Sequence, residues 1–190
     1  MDTFHNLNLK GEYSVILISI SYSKQAIRDH LKKRIKQNEI VVDVKMVETT
    51  EEYYVKVSWN GESGGEVIFK DHSLKIDTPI KYGGQGKGLC PDELFFASIA
   101  GCLTTTFLFF KRKLRLELNG LEISVQGEVE SLGSKGYFIG GIRAVIRVEV
   151  NSGDEERAQR CSDLAKEYCH ITRSIEGSLS IEVLSEIISD

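Results

Sequence analysis

One apolar stretch decides the fold of this chain: residues 90–110 read CPDELFFASIAGCLTTTFLFF. Pro91 suits the first turn of a helix, where its missing N–H costs nothing, and Asp92 and Glu93 suit the positive helix start. The 17 residues at 94–110 carry no charge, yet they barely reach the length of the shortest membrane span. We therefore predict a long apolar helix in the core of the protein, with no membrane span.

Composition and charge limit the kinds of partner that this chain is expected to bind. The 190 residues are 41% hydrophobic, which is enough for a core, and the formal net charge is -4. This balance argues against nucleic acid as the main partner, because phosphate binding needs clustered Lys and Arg. Residues 1–40 nevertheless carry seven basic and four acidic side chains. We predict a basic strand-helix arm at 1–40 and a second domain at 41–190. The arm is expected to dock on the domain or on a second subunit; the alternative is a basic surface for an anionic partner.

The amino terminus and the cysteines predict a reducing compartment. The first residues show no secretory signal pattern, so a cytoplasmic location is expected. The four cysteines form no CxxC motif, and in the cytoplasm they are expected to be reactive or merely buried thiols, not structural disulfides. Their spacing also argues against a four-cysteine zinc site. No metal and no cofactor is therefore expected.

Hydrophobic periodicity outlines the remaining elements. Alternation of apolar and polar side chains predicts strands. These are placed at residues 42–46, 53–59, 66–70, 74–76, 121–130, 143–150 and 179–183. Residues 154–168 have apolar side chains at helical spacing and acidic residues in the first turn. The order indicates an α+β fold with antiparallel sheets, in which the first strands form a meander.

The glycine-rich segment at residues 83–88, GGQGKG, invites comparison with a phosphate-binding loop. It lacks the GKS or GKT ending of a P-loop and the spacing of a dinucleotide fingerprint. We interpret it as a connector in which glycines allow unusual backbone conformations.

Four short motifs together resemble the osmotically inducible protein C and organic hydroperoxide resistance (OsmC/Ohr) family. The block CPDELFFASIAGC at 90–102 resembles the family helix that opens with a polar residue, Pro and Glu and reaches a reactive cysteine about three turns later. Upstream, DTP at 77–79 and GG at 83–84 look like the family's strand end and glycine loop. Downstream, CHIT at 169–172 is similar to the segment of the second cysteine. The resemblance covers roughly residues 41–188, so the domain at 41–190 is identified as OsmC-like.

The resemblance implies a fold and a chemistry. The family fold has antiparallel sheets packed around a long central apolar helix, in an intertwined homodimer that shares two sites. The implied activity is thiol-dependent reduction of a small hydrophobic peroxide: Cys102 would be peroxidatic, Cys169 would resolve its sulfenic acid as a disulfide, and an external dithiol would restore both. Apolar Phe95, Phe96 and Ile99 would line an entry for alkyl peroxides, although the same residues suit a core.

Further residues near the motifs have implied or local roles. Asp92 falls where the family has a glutamate that binds the active-site cation, and Glu93 next to it is a substitute; both also suit a helix start. His170 replaces a proline common in the family, either tuning the adjacent thiol or serving as a solvated helix cap. Cys90 and Cys161 are expected to be structural, as a helix cap and a buried small side chain.

The ionisation of the thiols is the open question. Cys102 lies too far into its helix to feel the helix start, and without a nearby cation it would be an inert, buried thiol. The hairpin WNGESGG at 59–65 lacks the family's arginine. The substitutes considered are Lys56, Lys87 and Arg112. Cys169 is better placed locally, because free N–H groups of the following turn and Arg173 would stabilise its thiolate.

The missing arginine leaves two functions open. The first is the cysteine-based peroxidase of oxidative stress defence. The alternative is a non-peroxidase OsmC-like dimer that binds or senses a small apolar or electrophilic ligand.

Overall fold

The computed structural model describes residues 50–190, which belong to one structural unit, Met46–Asp190. The arm at 1–40 and the strand at 42–46 lie outside the described residues, so both remain predictions. The strands are β1 (Lys56–Trp59), β2 (Gly64–Ile68), β3 (Ser73–Asp77), β4 (Gly120–Ser131), β5 (Tyr137–Val150) and β6 (Ile181–Ser189). The helices are α1 (Pro91–Leu114), α2 (Glu155–Tyr168) and α3 (His170–Ile175).

The first sheet is the antiparallel meander that the alternation predicts. Its order is β1-β2-β3, with β2 paired to both neighbours. The Asp77 carboxylate at the end of β3 accepts hydrogen bonds from Ser63 Oγ at 2.7 Å and from the Lys87 N–H at 2.8 Å. These bonds hold the pKa of Asp77 below its ordinary value, the Ser63 bond most of all. The glycine-rich segment is thus tied to the sheet end.

Gly84 shows why this connector needs glycine. A Cβ at Gly84 would lie 1.8 Å from the carbonyl oxygen of Thr78. Only a residue without a side chain allows the backbone to approach this closely. The connector interpretation of the segment agrees with this packing.

The second sheet has the order β4-β5-β6 and carries the core. β4 and β5 are antiparallel, as predicted, but β6 runs parallel to β5. The prediction of purely antiparallel sheets is therefore wrong for this pair. The physical reason is the connection: α2 and α3 carry the chain back along the sheet, and such a crossover joins parallel neighbours.

The core lies between this sheet and the helices. One face of β5 is fully buried at Ala144, Ile146 and Val148, while its other face is charged, with Arg143 bound to Glu182 at 2.7 Å. α1 packs against α2 and β4, α2 packs against β5 and β6, and α3 contacts α1. The predicted pattern of one apolar and one wet face is confirmed.

The long apolar helix is present, but only part of it is buried. α1 has the 24 residues Pro91–Leu114, and in the described part of the chain it is the one helix long and apolar enough to span a membrane. Its buried side chains are Ile99, Cys102, Leu103, Phe107 and Phe110. These follow helical spacing and face α2 and β4. The opposite face of α1 is uncovered in the single chain.

Candidate active site

The fold brings two cysteines from distant parts of the sequence together. Cys102 lies in the middle of α1, and Cys169 lies at the junction of α2 and α3. Both are free thiols and both are buried, with 6% of Cys102 and 0% of Cys169 exposed. The two side chains are neighbours, close enough for the Cys102 thiol to raise the pKa of Cys169. α3 places them there, because it begins directly after Cys169 and packs against α1.

The Cys169 thiol differs from the sequence-based expectation. Burial raises the pKa of Cys169 above its ordinary value, and this exceeds the opposing effect of the neighbouring Thr172. The Thr172 hydroxyl itself donates to the Cys169 carbonyl oxygen at 3.1 Å. The neighbouring Cys102 raises the pKa of Cys169 further. The expected local stabilisation of the thiolate is present at Thr172, but the net pKa of Cys169 is raised. Desolvation outweighs that stabilisation.

A histidine completes the cluster. His170 is the first residue of α3, and its Nδ1 lies 3.4 Å from Cys102 Sγ. The imidazole is exposed, whereas Cys102 is buried. His170 follows Cys169 in the sequence, but its ring contacts the thiol of Cys102. The exposed ring therefore lies between that buried thiol and the solvent. An imidazole nitrogen at this separation can accept a hydrogen bond from a thiol.

Asp92 and Glu93 lie in the first turn of α1. The Glu93 carboxylate accepts a hydrogen bond from the Cys90 N–H at 2.8 Å, and Cys90 Sγ lies 3.5 Å from the Asp92 carboxylate. With a rise of about 1.5 Å per residue, these carboxylates are roughly 14 Å from Cys102 along the helix axis. Within one chain they cap the helix start and do not reach the thiols.

The three substitute cations are placed differently from His170. Lys87 Nζ forms an ion pair with Glu62 at 3.2 Å. Arg112 follows Cys102 by ten residues on α1, roughly 15 Å along the axis. Lys56 is exposed on β1. Within residues 50–190, the groups adjacent to the Cys102 sulfur are the His170 ring, with Nδ1 at 3.4 Å, and the Cys169 thiol.

The remaining two cysteines have structural positions. Cys90 is the N-cap residue of α1. Cys161 is completely buried in α2, and burial raises its pKa to about 11, against a smaller lowering by Lys111. Such a thiol is inert near neutral pH because the thiolate is the reactive form. Within residues 50–190, no group of three or more His, Cys, Asp or Glu side chains is arranged to hold a metal ion.

An apolar cavity of about 230 Å³ lies between α1 and β4. Phe96, Ala97, Ala100 and Val125 line it, together with Glu93. Phe96 lines this cavity, but Cys102 and Cys169 do not, so the cavity leaves the predicted entry to the thiols untested. Ile99 does not line the cavity, because it is fully buried in the core.

The family assignment follows from the sequence match at these elements. Residues 84–184, which contain α1, both thiols and His170, match the family model described as OsmC-like protein. The chain belongs to the OsmC-like family. An organic hydroperoxide resistance protein-like relative from Staphylococcus aureus (strain MSSA476) is 24% identical to this OsmC-like chain over 138 residues. That alignment covers 72% of this chain and 96% of the relative.

Solved structures confirm the OsmC-like fold. The crystal structure of an OsmC like protein from Mycoplasma pneumoniae has a TM-score of 0.65 and 19% identity, covering 74% of this chain and 99% of that one. An organic hydroperoxide resistance protein OsmC from Legionella pneumophila has a TM-score of 0.56 and 18% identity, covering 73% and 99%. The α+β, OsmC-like fold predicted from the motifs is therefore confirmed. At these identities the likeness concerns the fold and not the activity.

Sequence reasoning on this OsmC-like chain did not find the Cys102–His170 contact. His170 and Cys102 are 68 positions apart, and no local pattern connects them. The one sequence signal was the departure from the family motif, in which a proline is common at the position of His170.

Proposed function

We propose that this OsmC-like chain is a cysteine-based peroxidase that reduces organic hydroperoxides in oxidative stress defence. The observation that carries the proposal is the adjacency of the Cys102 and Cys169 thiols in a buried site. A peroxidase that resolves its own sulfenic acid needs two thiols at this range. Relatives named for organic hydroperoxide resistance support the same chemistry.

The proposed cycle balances in two steps. The Cys102 thiolate attacks the distal oxygen of the hydroperoxide, so an S–O bond forms, the O–O bond breaks and the alcohol leaves. Cys169 then attacks the sulfenic sulfur, which forms a disulfide and releases water. Two thiols are oxidised and one hydroperoxide is reduced. An external dithiol restores both cysteines by thiol–disulfide exchange, as expected for a cytoplasmic protein.

Steady-state peroxide consumption tests this function. We expect reduced protein, with dithiothreitol as the dithiol and cumene hydroperoxide as the substrate, to show rapid and saturable turnover. Hydrogen peroxide is expected to be the poorer substrate, because both thiols are buried among the helices, away from water. A rate no higher than that of free cysteine at the same thiol concentration contradicts the proposal.

One observation favours the alternative function, a non-peroxidase dimer that binds or senses an apolar or electrophilic ligand. The hairpin at 59–65 has no arginine. For this function, cumene hydroperoxide or a similar apolar compound would raise the melting temperature without being consumed.

We further propose that the functional unit is a homodimer. The outer face of α1 is uncovered, and Gly101 beside the reactive thiol faces open space in the single chain. On the small sheet, Val57 is 54% and Trp59 is 75% exposed. A second copy would cover these apolar groups, and it is the route by which Asp92 or Glu93 would reach a thiol site.

Sedimentation measures the oligomeric state directly. We expect twice the mass of the chain at micromolar concentration. A single-chain mass across that range contradicts the dimer.

A further inference from the structure

We propose that His170 is the group that ionises Cys102, in place of the arginine that the hairpin lacks. The pair consists of an exposed imidazole whose Nδ1 lies 3.4 Å from the sulfur of a buried thiol. Its catalytic use rests on the proposed peroxidase function. The pair itself is tested below without any peroxide.

The backbone holds His170 in this position. The Arg173 N–H donates to the Cys169 carbonyl oxygen at 3.1 Å, which closes the first turn of α3. Ser174 Oγ donates to the His170 carbonyl oxygen at 2.7 Å. Because α3 also packs against α1, the ring is directed to Cys102 by fixed elements. A contact prepared in this way does not need to reorganise when a substrate arrives.

The imidazole of His170 provides a base for the Cys102 proton. Neutral His170 accepts the proton of the Cys102 thiol at Nδ1, which gives a thiolate beside an imidazolium. After the thiolate takes the distal oxygen of the hydroperoxide, the imidazolium returns that proton to the departing alkoxide. The sulfur becomes a sulfenic acid, the hydroperoxide becomes an alcohol, and His170 is neutral again. One residue thus supplies the base of the first half-step and the acid of the second.

Other titratable groups near the pair define the controls. Cys102 faces His170 from α1, and Cys169 and Tyr168 precede it at the end of α2. The charges of Glu167 and Arg160 on α2 and of Arg173 on α3 act on Tyr168, and Arg173 lies on the same helix as His170. Arg173 is the competing source of positive charge. Its removal therefore separates a general electrostatic effect from proton transfer by His170.

The test is the pH profile of Cys102 alkylation by iodoacetamide, read by mass spectrometry of the Cys102 peptide. His170→Asn keeps a polar group near the Nδ1 position but cannot take a proton. An ordinary thiol with a pKa of about 8.5 is only about 1% thiolate at about pH 6.5. We expect Cys102 of the unaltered protein to stay reactive at this pH, and His170→Asn to be slower on the order of 50-fold. Arg173→Gln is expected to keep the original profile.

The outcomes separate this inference from the proposed function. An unchanged Cys102 profile in His170→Asn overturns the role of His170, whether or not the protein consumes peroxide. Loss of reactivity near neutral pH in Arg173→Gln, but not in His170→Asn, overturns it in favour of the arginine. The expected profiles without peroxide turnover would support the Cys102–His170 pair and remove only the peroxidase function. Thermal melting of each variant checks that the fold is retained.

Discussion

Cys102→Ser is expected to abolish the reduction of cumene hydroperoxide, with a loss on the order of 1,000-fold or more. The serine hydroxyl is nearly isosteric with the thiol, but it is not ionised at neutral pH and is a poor nucleophile toward peroxide oxygen. Cys102 is the thiol that contacts His170, so its removal takes away the attacking atom. Peroxide consumption in the presence of dithiothreitol measures the effect.

Cys90→Ser provides the matched control on the same helix. Cys90 is the N-cap residue of α1, and serine is a preferred N-cap residue. This variant is expected to keep the full activity and stability of the protein. Equal losses in Cys90→Ser and Cys102→Ser would contradict the assignment of Cys102 as the attacking thiol.

Cys169→Ser is expected to separate the first turnover from the following ones. The initial oxidation of Cys102 should remain, because its contact with His170 is unchanged. Without the resolving thiol, the sulfenic acid persists and excess peroxide converts it to sulfinic and sulfonic acids. We expect sustained turnover to fall on the order of 100-fold while Cys102 gains two or three oxygen atoms.

Intact-protein mass spectrometry after graded peroxide additions measures this over-oxidation. Cys161→Ser is the matched control, since Cys161 is an equally buried thiol on α2. It is expected to turn over without over-oxidation of Cys102. Undiminished multiple turnover in Cys169→Ser would show that Cys169 is not the resolving thiol.

Local patterns predicted the elements of this protein better than their arrangement. Alternation at 143–150 gave a strand because β5 has one buried face, and the uncharged run at 94–110 gave α1. Of the strand predicted at 53–59, β1 covers Lys56–Trp59, and its apolar side chains are exposed in the single chain. The parallel pairing of β6 with β5 could not be read in the same way. A half-buried strand has the same period of two in either direction, so only the crossover through α2 and α3 decides it.

The candidate site was predictable only as far as the family motifs reach. Cys102 and Cys169 came from those motifs, and the structure brings the two together. The motifs did not predict the contact between His170 and Cys102, because His170 reaches Cys102 only after α3 docks on α1. The same motifs predicted Asp92 and Glu93 as site residues. In the single chain, however, the helix between them and Cys102 keeps both carboxylates away from the thiols.

Disulfide mapping after one equivalent of cumene hydroperoxide is the most direct test of the central claim, that Cys102 and Cys169 act as one redox pair. Fully reduced protein with its four free thiols is treated, quenched and digested, and the remaining thiols are counted. We expect rapid loss of two thiols and a peptide joined through Cys102 and Cys169. Four remaining thiols, or a disulfide that involves Cys90 or Cys161, would contradict it.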